Sequence, residues 1–180
     1  MYKSLDEFST KNNEMFYSYT NTNNIVLSQK ASRFWIPFDI KFFEILTPKK
    51  YLEKYCRISP RRYTLYKRIF DKYKDIEAEL NMEILVDALS DIYMGTIDNR
   101  FIRQMIFLLD LSSNEKLIFT QFSGIAAFSE RYFFNIFKQS DNIDPQLQKD
   151  ILEILDFSSL KYKLFGVNIS PTLQEILRLL

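Results

Sequence analysis

The chain has 180 residues, with 24 basic and 23 acidic side chains, no His, one Cys and three Gly. The absence of His excludes Ser-His-Asp and Cys-His catalytic systems and His-ligated zinc. The single Cys56 excludes an intramolecular disulfide and a thiolate metal cluster, and the three isolated glycines exclude a P-loop or a dinucleotide-binding turn. Because 47% of the residues are apolar, the chain can bury a packed core.

Residues 1–33 are rich in Asn, Ser and Thr and contain only scattered aromatic residues, which predicts an extended or disordered arm. Apolar residues then alternate at a period of two, which favours an extended ribbon over a helix. These residues are Phe34, Ile36, Phe38, Ile40 and Phe42. Such a ribbon has to be covered, either by the helical body of the same chain or by a partner. In the second case Phe34 and Trp35 are candidate partner contacts.

Prolines mark the beginnings of helices in the rest of the chain. Four of the five prolines follow Thr, Ser or Asp, a pair in which the first side chain caps a helix and Pro occupies its first position. Together with weaker start signals at Asn81, Asp98 and near Thr120, they predict seven helices. The predicted helices span 48–57, 60–73, 82–93, 99–109, 120–137, 145–155 and 171–179. The chain is therefore predicted to be all-α.

One loop between two predicted helices contains an ordered series of oxygen-bearing side chains. Residues 110–121 place Asp, Ser and Asn at the first, third and fifth positions and Leu117 at the eighth. This stretch resembles the calcium-binding loop of the EF-hand superfamily. The resemblance assigns the metal to Asp110, Ser112, Asn114 and Gln121. Because Gln121 replaces a bidentate Glu and Glu115 replaces a Gly, we expect a vestigial loop without calcium, and no other cofactor.

EF-hands come in pairs whose eighth loop residues meet in a short β-bridge. Leu80 lies 37 positions before Leu117 and is followed by apolar residues at the same spacing, so it is the predicted mate. In the first loop, counted from Tyr73, three acidic residues take the third, fifth and seventh positions, whereas both end ligands are missing. These acidic residues are Asp75, Glu77 and Glu79. The pairing depends on Leu80 and Leu117 facing each other.

The resemblance implies an all-α fold of two degenerate EF-hands with a short β-bridge between their loops. Residues 1–47 would form an extended N-terminal arm, and residues 48–137 the pair with a leading basic helix. Residues 138–180 would form a helical extension packed on the pair. The last helix is expected either to complete the core or to fill the groove of the pair.

Paired EF-hands present an apolar groove that takes the amphipathic helix of a partner. Helix 120–137 is apolar over much of its circumference, so something besides its sister helices must cover it. The residues predicted to contact a partner are Phe34, Trp35, Arg61, Arg62, Lys67, Arg68, Phe128, Phe133 and Phe137.

The near-neutral net charge conceals two oppositely charged blocks. Residues 47–74 contain ten basic and two acidic side chains, whereas residues 75–99 contain seven acidic and no basic ones. The basic block can be neutralised within the chain, can face an acidic protein surface such as a cytoskeletal polymer, or can bind nucleic acid. Four tyrosines would then provide base stacking. They are Tyr51, Tyr55, Tyr63 and Tyr66.

These patterns favour a non-catalytic protein-binding adaptor or structural protein in the cytoplasm, and the resemblance points to a cytoskeletal or ciliary assembly. The alternatives are a calcium-responsive regulator and a basic-surface nucleic-acid binder. An enzyme would have to work with carboxylates, Lys, Tyr or Cys56 alone. Apolar runs fall well short of the ~20 residues that span a bilayer, and no membrane partner is expected.

Overall fold

Eight α-helices and two antiparallel two-stranded ribbons make up the described part of the chain, which comprises residues 27, 29–137 and 149–180 of a computed structural model. The helices are α1 Pro48–Lys54, α2 Pro60–Tyr73, α3 Met82–Ile92, α4 Asn99–Phe107, α5 Phe119–Phe137, α6 Ile151–Phe157, α7 Leu160–Lys163 and α8 Pro171–Leu179. The strands are β1 Ser32–Phe34, β2 Cys56–Ile58, β3 Leu80–Asn81 and β4 Lys116–Leu117. Short 3₁₀ turns span Gln29–Ala31 and Ile40–Glu44. The predicted helical character is confirmed; the β3–β4 ribbon is the predicted β-bridge, and the β1–β2 ribbon is an addition.

Three of the four predicted proline starts are confirmed. Thr47 Oγ1 accepts a hydrogen bond from the Lys50 amide at 3.3 Å, and Ser170 Oγ accepts one from the Leu173 amide at 3.3 Å. α2 also begins at its proline, although the Ser59 side chain makes no cap hydrogen bond. The fourth start, at Asp144 and Pro145, lies outside the described residues. α6 begins at Ile151 because Asp150 Oδ1 accepts from the Leu152 amide at 2.8 Å.

The apolar alternation after residue 33 produces a much shorter strand than the sequence predicts. β1 pairs with β2 along its three residues and ends at Phe34. The chain then bends at Phe38 and Asp39 into the 3₁₀ segment that Asp39 caps. Phe34 is buried by the body of the protein, whereas Phe38 is fully exposed. The prediction of an extended arm over residues 1–47 is therefore corrected for residues 29–47, and residues 1–26 lie outside the described part.

α5 is the central helix and is buried on almost every side. α1 crosses it so closely that a Cβ at Gly124 would lie 2.5 Å from the Leu52 carbonyl oxygen. Three consecutive polar residues lie at its middle with at most 1% of their surface exposed. They are Ser129, Glu130 and Arg131. A buried polar group is tolerated only when it is hydrogen-bonded, and each of the three has partners from other segments.

The charges of α5 connect elements that are distant in sequence. Glu130 accepts from Tyr66 Oη at 2.8 Å and pairs with Arg62 at 2.7 Å. Arg131 pairs with Glu153 of α6 at 2.6 Å and donates to the backbone oxygens of Gln29 and Ser32. These bonds fix the N-terminal ribbon and α6 against the central helix.

The second ribbon joins two helix-loop-helix units, α2–α3 and α4–α5. Leu80 pairs with Leu117 in antiparallel register, and both side chains are fully buried. The predicted contact between these two leucines is therefore confirmed. Among the helices of the described ranges, none is both long and apolar enough to cross a membrane.

Candidate functional site

The first loop brings three carboxylates together around a lysine from strand β4. Oxygens of Asp75, Glu77 and Glu79 lie within 4.8 Å of one another. Lys116 Nζ lies 2.9 Å from Asp75, 2.8 Å from Glu77 and 3.5 Å from Glu79. The ammonium group thus takes the central position that a cation would need among these three side chains.

Backbone geometry sets up this cluster. Asp75 Oδ1 accepts from the amides of Glu77 and Glu79, both at 2.9 Å, which curls the loop around the carboxylate. The Glu79 amide, with Lys116 next, lowers the pKa of Asp75, and the carboxylates of Glu77 and Asp75 raise the pKa of Lys116. The β3–β4 register, which pairs Asn81 with Lys116, brings the lysine to the first loop. Asp75 and Lys116 are therefore both charged near neutral pH, and the cluster contains its own cation.

In the second loop, three of the four predicted metal ligands are exposed and the fourth bonds to a backbone amide. Asp110, Ser112 and Asn114 are exposed, and Asp110 has a left-handed backbone with φ 51°. Gln121 uses its amide oxygen to accept from the Ile118 amide at 3.3 Å. Among the described residues, the acidic group with metal-like spacing is the one in the first loop.

Helix α1 bonds to three polar side chains of the second loop. Lys49 forms an ion pair with Glu115, and Glu53 accepts from Thr120 Oγ1 at 2.8 Å and from Gln121 Nε2 at 3.3 Å. Side chains of the protein itself thus engage the acidic cluster of the first loop and the Glu115, Thr120 and Gln121 side chains of the second. Sequence reasoning missed this role of α1, although the spacing of Lys49 and Glu53 on one helix face was available as a signal.

Four aromatic residues predicted to contact a partner belong to the core instead. Phe34, Phe128 and Phe133 are fully buried, and Phe137 is almost so. Trp35 is half-buried and packs edge-on against Tyr55 with ring centroids 6.1 Å apart. Because a buried ring cannot reach another molecule while the fold is intact, the predicted contact surface does not include these four.

The four predicted basic contacts divide into two groups. Arg62 is paired with buried Glu130, and Lys67 pairs with Asp71 at 2.9 Å. Arg61 and Arg68 are exposed and form no ion pair with any residue of the described ranges. Neutralisation within the chain therefore accounts for part of the basic block. Lys72 and Asp91, 2.6 Å apart, link this block directly to the acidic one.

The aromatic platform predicted for nucleic acid is largely absent from the surface. Tyr51, Tyr55 and Tyr66 are buried, and burial raises the pKa of Tyr51 and Tyr66 well above its ordinary range. Tyr63 is half-exposed, but it packs edge-on against Phe119 with centroids 5.1 Å apart. Base stacking needs exposed ring faces, so this group does not provide a stacking surface.

An apolar face on α6 is the surface that sequence reasoning missed. Ile151, Leu152 and Leu155 are 72%, 50% and 59% exposed, and their spacing places them on one side of the helix. The sequence predicts that this helix completes the core, but Glu153 is the buried residue that faces inward, because it pairs with Arg131. The ion pair thereby turns the leucines outward.

A groove of about 520 Å³ lies between the C-terminal end of α6, α7 and α8. Its lining is mainly apolar, with two basic residues among the lining side chains. The residues are Phe157, Leu160, Lys161, Leu164, Gln174, Leu177, Arg178 and Leu180. α8 itself contributes to the core through Leu173 and Ile176. This agrees with the first of the two predictions for the last helix, that it completes the core.

No protein-family model, curated protein or solved structure matches the chain.

Proposed function

We propose that the chain is a non-catalytic adaptor or structural component of an intracellular assembly, built on a pair of EF-hands that no longer bind calcium. The exposed apolar face of α6 carries this proposal, and the groove at the C-terminal end of the same helix adds further accessible apolar surface. A contiguous apolar surface on a folded protein is a common mark of a protein-binding site. A cytoskeletal or ciliary assembly is the setting that the EF-hand resemblance favours.

The EF-hand part of the proposal rests on the arrangement of the loops. Two helix-loop-helix units joined through the eighth residues of their loops, Leu80 and Leu117, match the expected pairing. Lys116 supplies the first loop with a cation, and α1 engages the second loop. The same two loops that would hold calcium in a sensor thus stabilise a fixed arrangement here.

A non-catalytic role fits the pairing of the buried ionisable groups. Arg131 and Glu153 neutralise each other, as do Arg62 and Glu130. Burial raises the pKa of Cys56, so its thiol stays protonated near neutral pH and is a poor nucleophile.

Charging the apolar face of α6 is expected to abolish partner capture. The tagged full-length chain carries a photo-crosslinking amino acid at position 155, and crosslinked proteins are identified by mass spectrometry. Leu152→Asp, combined with a probe at 155, should remove the partner bands, because a carboxylate buried in an apolar contact is strongly unfavourable.

Met94→Asp is the matched control, because Met94 is an apolar residue outside α6 that is 74% exposed, against 50% for Leu152. A set of crosslinked proteins that is the same with a probe at 94 as at 155 would contradict the adaptor proposal. So would a partner that survives Leu152→Asp unchanged.

The acidic cluster of the first loop is the observation that favours the alternative of a calcium-responsive regulator, because its carboxylate oxygens are spaced as metal ligands are. We expect millimolar Ca²⁺ to leave the Tm of the wild-type protein unchanged relative to chelator, because Lys116 already occupies the cluster. In Lys116→Met three carboxylates lose their counter-charge, so this variant should have a lower Tm that Ca²⁺ partly restores. Differential scanning fluorimetry with Ca²⁺, Mg²⁺ and chelator measures both effects.

Lys67→Met is the matched control, since it removes an ammonium group from an exposed ion pair with Asp71 in α2 and leaves the acidic cluster of the first loop intact. Its Tm should not respond to Ca²⁺. If Ca²⁺ instead raises the Tm of the wild-type protein, the calcium-responsive alternative becomes the better account.

A further inference from the structure

Two arginines lie directly opposite each other on the first ribbon. Arg33 of β1 pairs with Arg57 of β2 in antiparallel register, so both side chains leave the same face. Like charges in this position are destabilising. The core-facing neighbours, Phe34 and Cys56, do not require a second arginine on the outer face. The pair therefore concentrates positive charge without a structural need for it.

These arginines line a concave groove of about 510 Å³ between the ribbon, the start of α2 and the start of α6. The lining contains four cationic side chains, from Lys30, Arg33, Arg57 and Lys149. Asp150 is the acidic residue of the lining, and Asp156 lies 3.8 Å from Arg33. Lys30 has an interaction of its own, and even without it the three other cations outnumber the two carboxylates, so the groove has a surplus of positive charge among the described residues.

The donors of the groove are incompletely used. Arg33 Nε is buried and has no hydrogen-bond partner among the described residues. Arg57 is exposed and forms no ion pair with any of them. Lys149 donates to the Leu180 backbone oxygen, and burial, followed by the positive charge of Arg131, lowers the pKa of Lys149. Ser59 and Pro60 add the positive end of α2, a helix of 14 residues.

We propose that this groove binds a phosphorylated side chain of a partner protein, an inference that rests on the proposed adaptor function. A phosphomonoester carries a charge of about −1.5 to −2 near pH 7, which matches the surplus of the groove, and its oxygens fit the planar guanidinium fork. Ile58, Pro60 and Ile151 offer apolar contacts for flanking residues.

The position of the groove agrees with the proposed partner surface. Ile151 lines the groove and also belongs to the exposed apolar face of α6. One partner segment can therefore place its phosphate in the groove and its apolar residues on α6. A nucleic acid fits less well, because no aromatic side chain is among the lining residues.

The test titrates the full chain with phosphoserine blocked at both ends, and with the matching blocked serine, while NMR follows the arginine Nε–H signals. We expect the signals of Arg33 and Arg57 to shift with phosphoserine and not with serine. Arg57→Gln should weaken binding about tenfold, the loss of one charge-assisted fork. Arg68→Gln is the matched control, since Arg68 is exposed, lies outside the groove and should leave affinity unchanged.

Equal affinity in Arg57→Gln and the wild-type protein overturns the proposal, as does the absence of shifts at Arg33 and Arg57. The proposal is also overturned if a single-stranded RNA oligonucleotide, or vesicles containing phosphoinositide, bind through Arg57 more tightly than phosphoserine does. The occupant of the groove would then belong to another class of molecule.

The two proposals fail in distinguishable ways. Partner capture through α6 that persists after phosphatase treatment, with no phosphoserine binding, overturns the phosphate site and leaves the adaptor function standing. Phosphoserine binding that depends on Arg57, without any partner crosslinked at position 155, supports the phosphate site and contradicts the adaptor surface on α6.

Discussion

Replacing Arg131 with Met is expected to lower the free energy of unfolding by about 3–5 kcal/mol, because it leaves a buried carboxylate without its counter-charge. Glu153, the partner at 2.6 Å, has 1% of its surface exposed. The backbone oxygens of Gln29 and Ser32 also lose their donor. Urea denaturation followed by circular dichroism and by the fluorescence of Trp35 measures the change.

A double variant separates the charge from the packing. Arg131→Met combined with Glu153→Leu removes both charges and should be less destabilised than Arg131→Met alone. Arg178→Met is the matched control, since Arg178 forms an exposed pair with Glu175 that is worth at most about 1 kcal/mol. If Arg131→Met costs no more than Arg178→Met, the buried pair does not hold the fold together.

The Arg131 network also determines where the two proposed binding surfaces lie. Its bonds attach the N-terminal ribbon and α6 to the middle of α5. The ribbon carries the opposed arginines, and α6 carries the exposed leucines. Both surfaces are therefore built by the same buried ion pair. In a variant that loses the pair but still folds, partner capture and phosphoserine binding should weaken together.

Local signals in the sequence were sufficient for most of the helices. A side-chain cap followed by Pro is decided by neighbouring residues, so the starts of α1, α2 and α8 could be predicted without tertiary information. The Leu80 and Leu117 contact was also predictable, because two similar units at a fixed spacing imply a shared interface.

The candidate surfaces were not predictable from the sequence, because they depend on contacts between residues that are distant along the chain. Arg131 contacts Gln29 and Ser32 across about a hundred residues, and no local pattern specifies such a pairing. These bonds hold the ribbon that contains Phe34 on the central helix, and the Arg131–Glu153 pair turns Leu152 and Leu155 outward. Alternation of apolar residues around Phe34 gave the periodicity of a strand but not its length. An arginine in the middle of an apolar helix was the available signal for a buried network.

The role of Lys116 depends on register in the same way. The acidic residues of the first loop are visible in the sequence, and so is a lysine next to Leu117. Only the antiparallel pairing of Asn81 with Lys116 places that lysine beside the first loop. The expectation of no calcium rested on the missing ligands of the second loop, whereas the structure adds an internal cation in the first.

Gly124→Ala is expected to destabilise the protein by about 1–3 kcal/mol, although the same change inside an ordinary helix stabilises by about 0.5–1 kcal/mol. The new Cβ would lie 2.5 Å from the Leu52 carbonyl oxygen and 3.1 Å from the Glu53 amide nitrogen. These are backbone atoms of α1, so the whole helix has to move. Urea denaturation measures the change in the free energy of unfolding. A decrease indicates that the close contact dominates, whereas an increase indicates that helix propensity dominates.

Hydrogen exchange locates the effect. Because α1 holds the second loop through Lys49 and Glu53, its displacement should raise the exchange rates of amides in residues 116–121. Gly95→Ala is the matched control: Gly95 has φ 69° and open space around it, so this change adds local backbone strain without moving α1. Faster exchange at 116–121 in both variants would mean that general destabilisation, and not the displacement of α1, releases the loop.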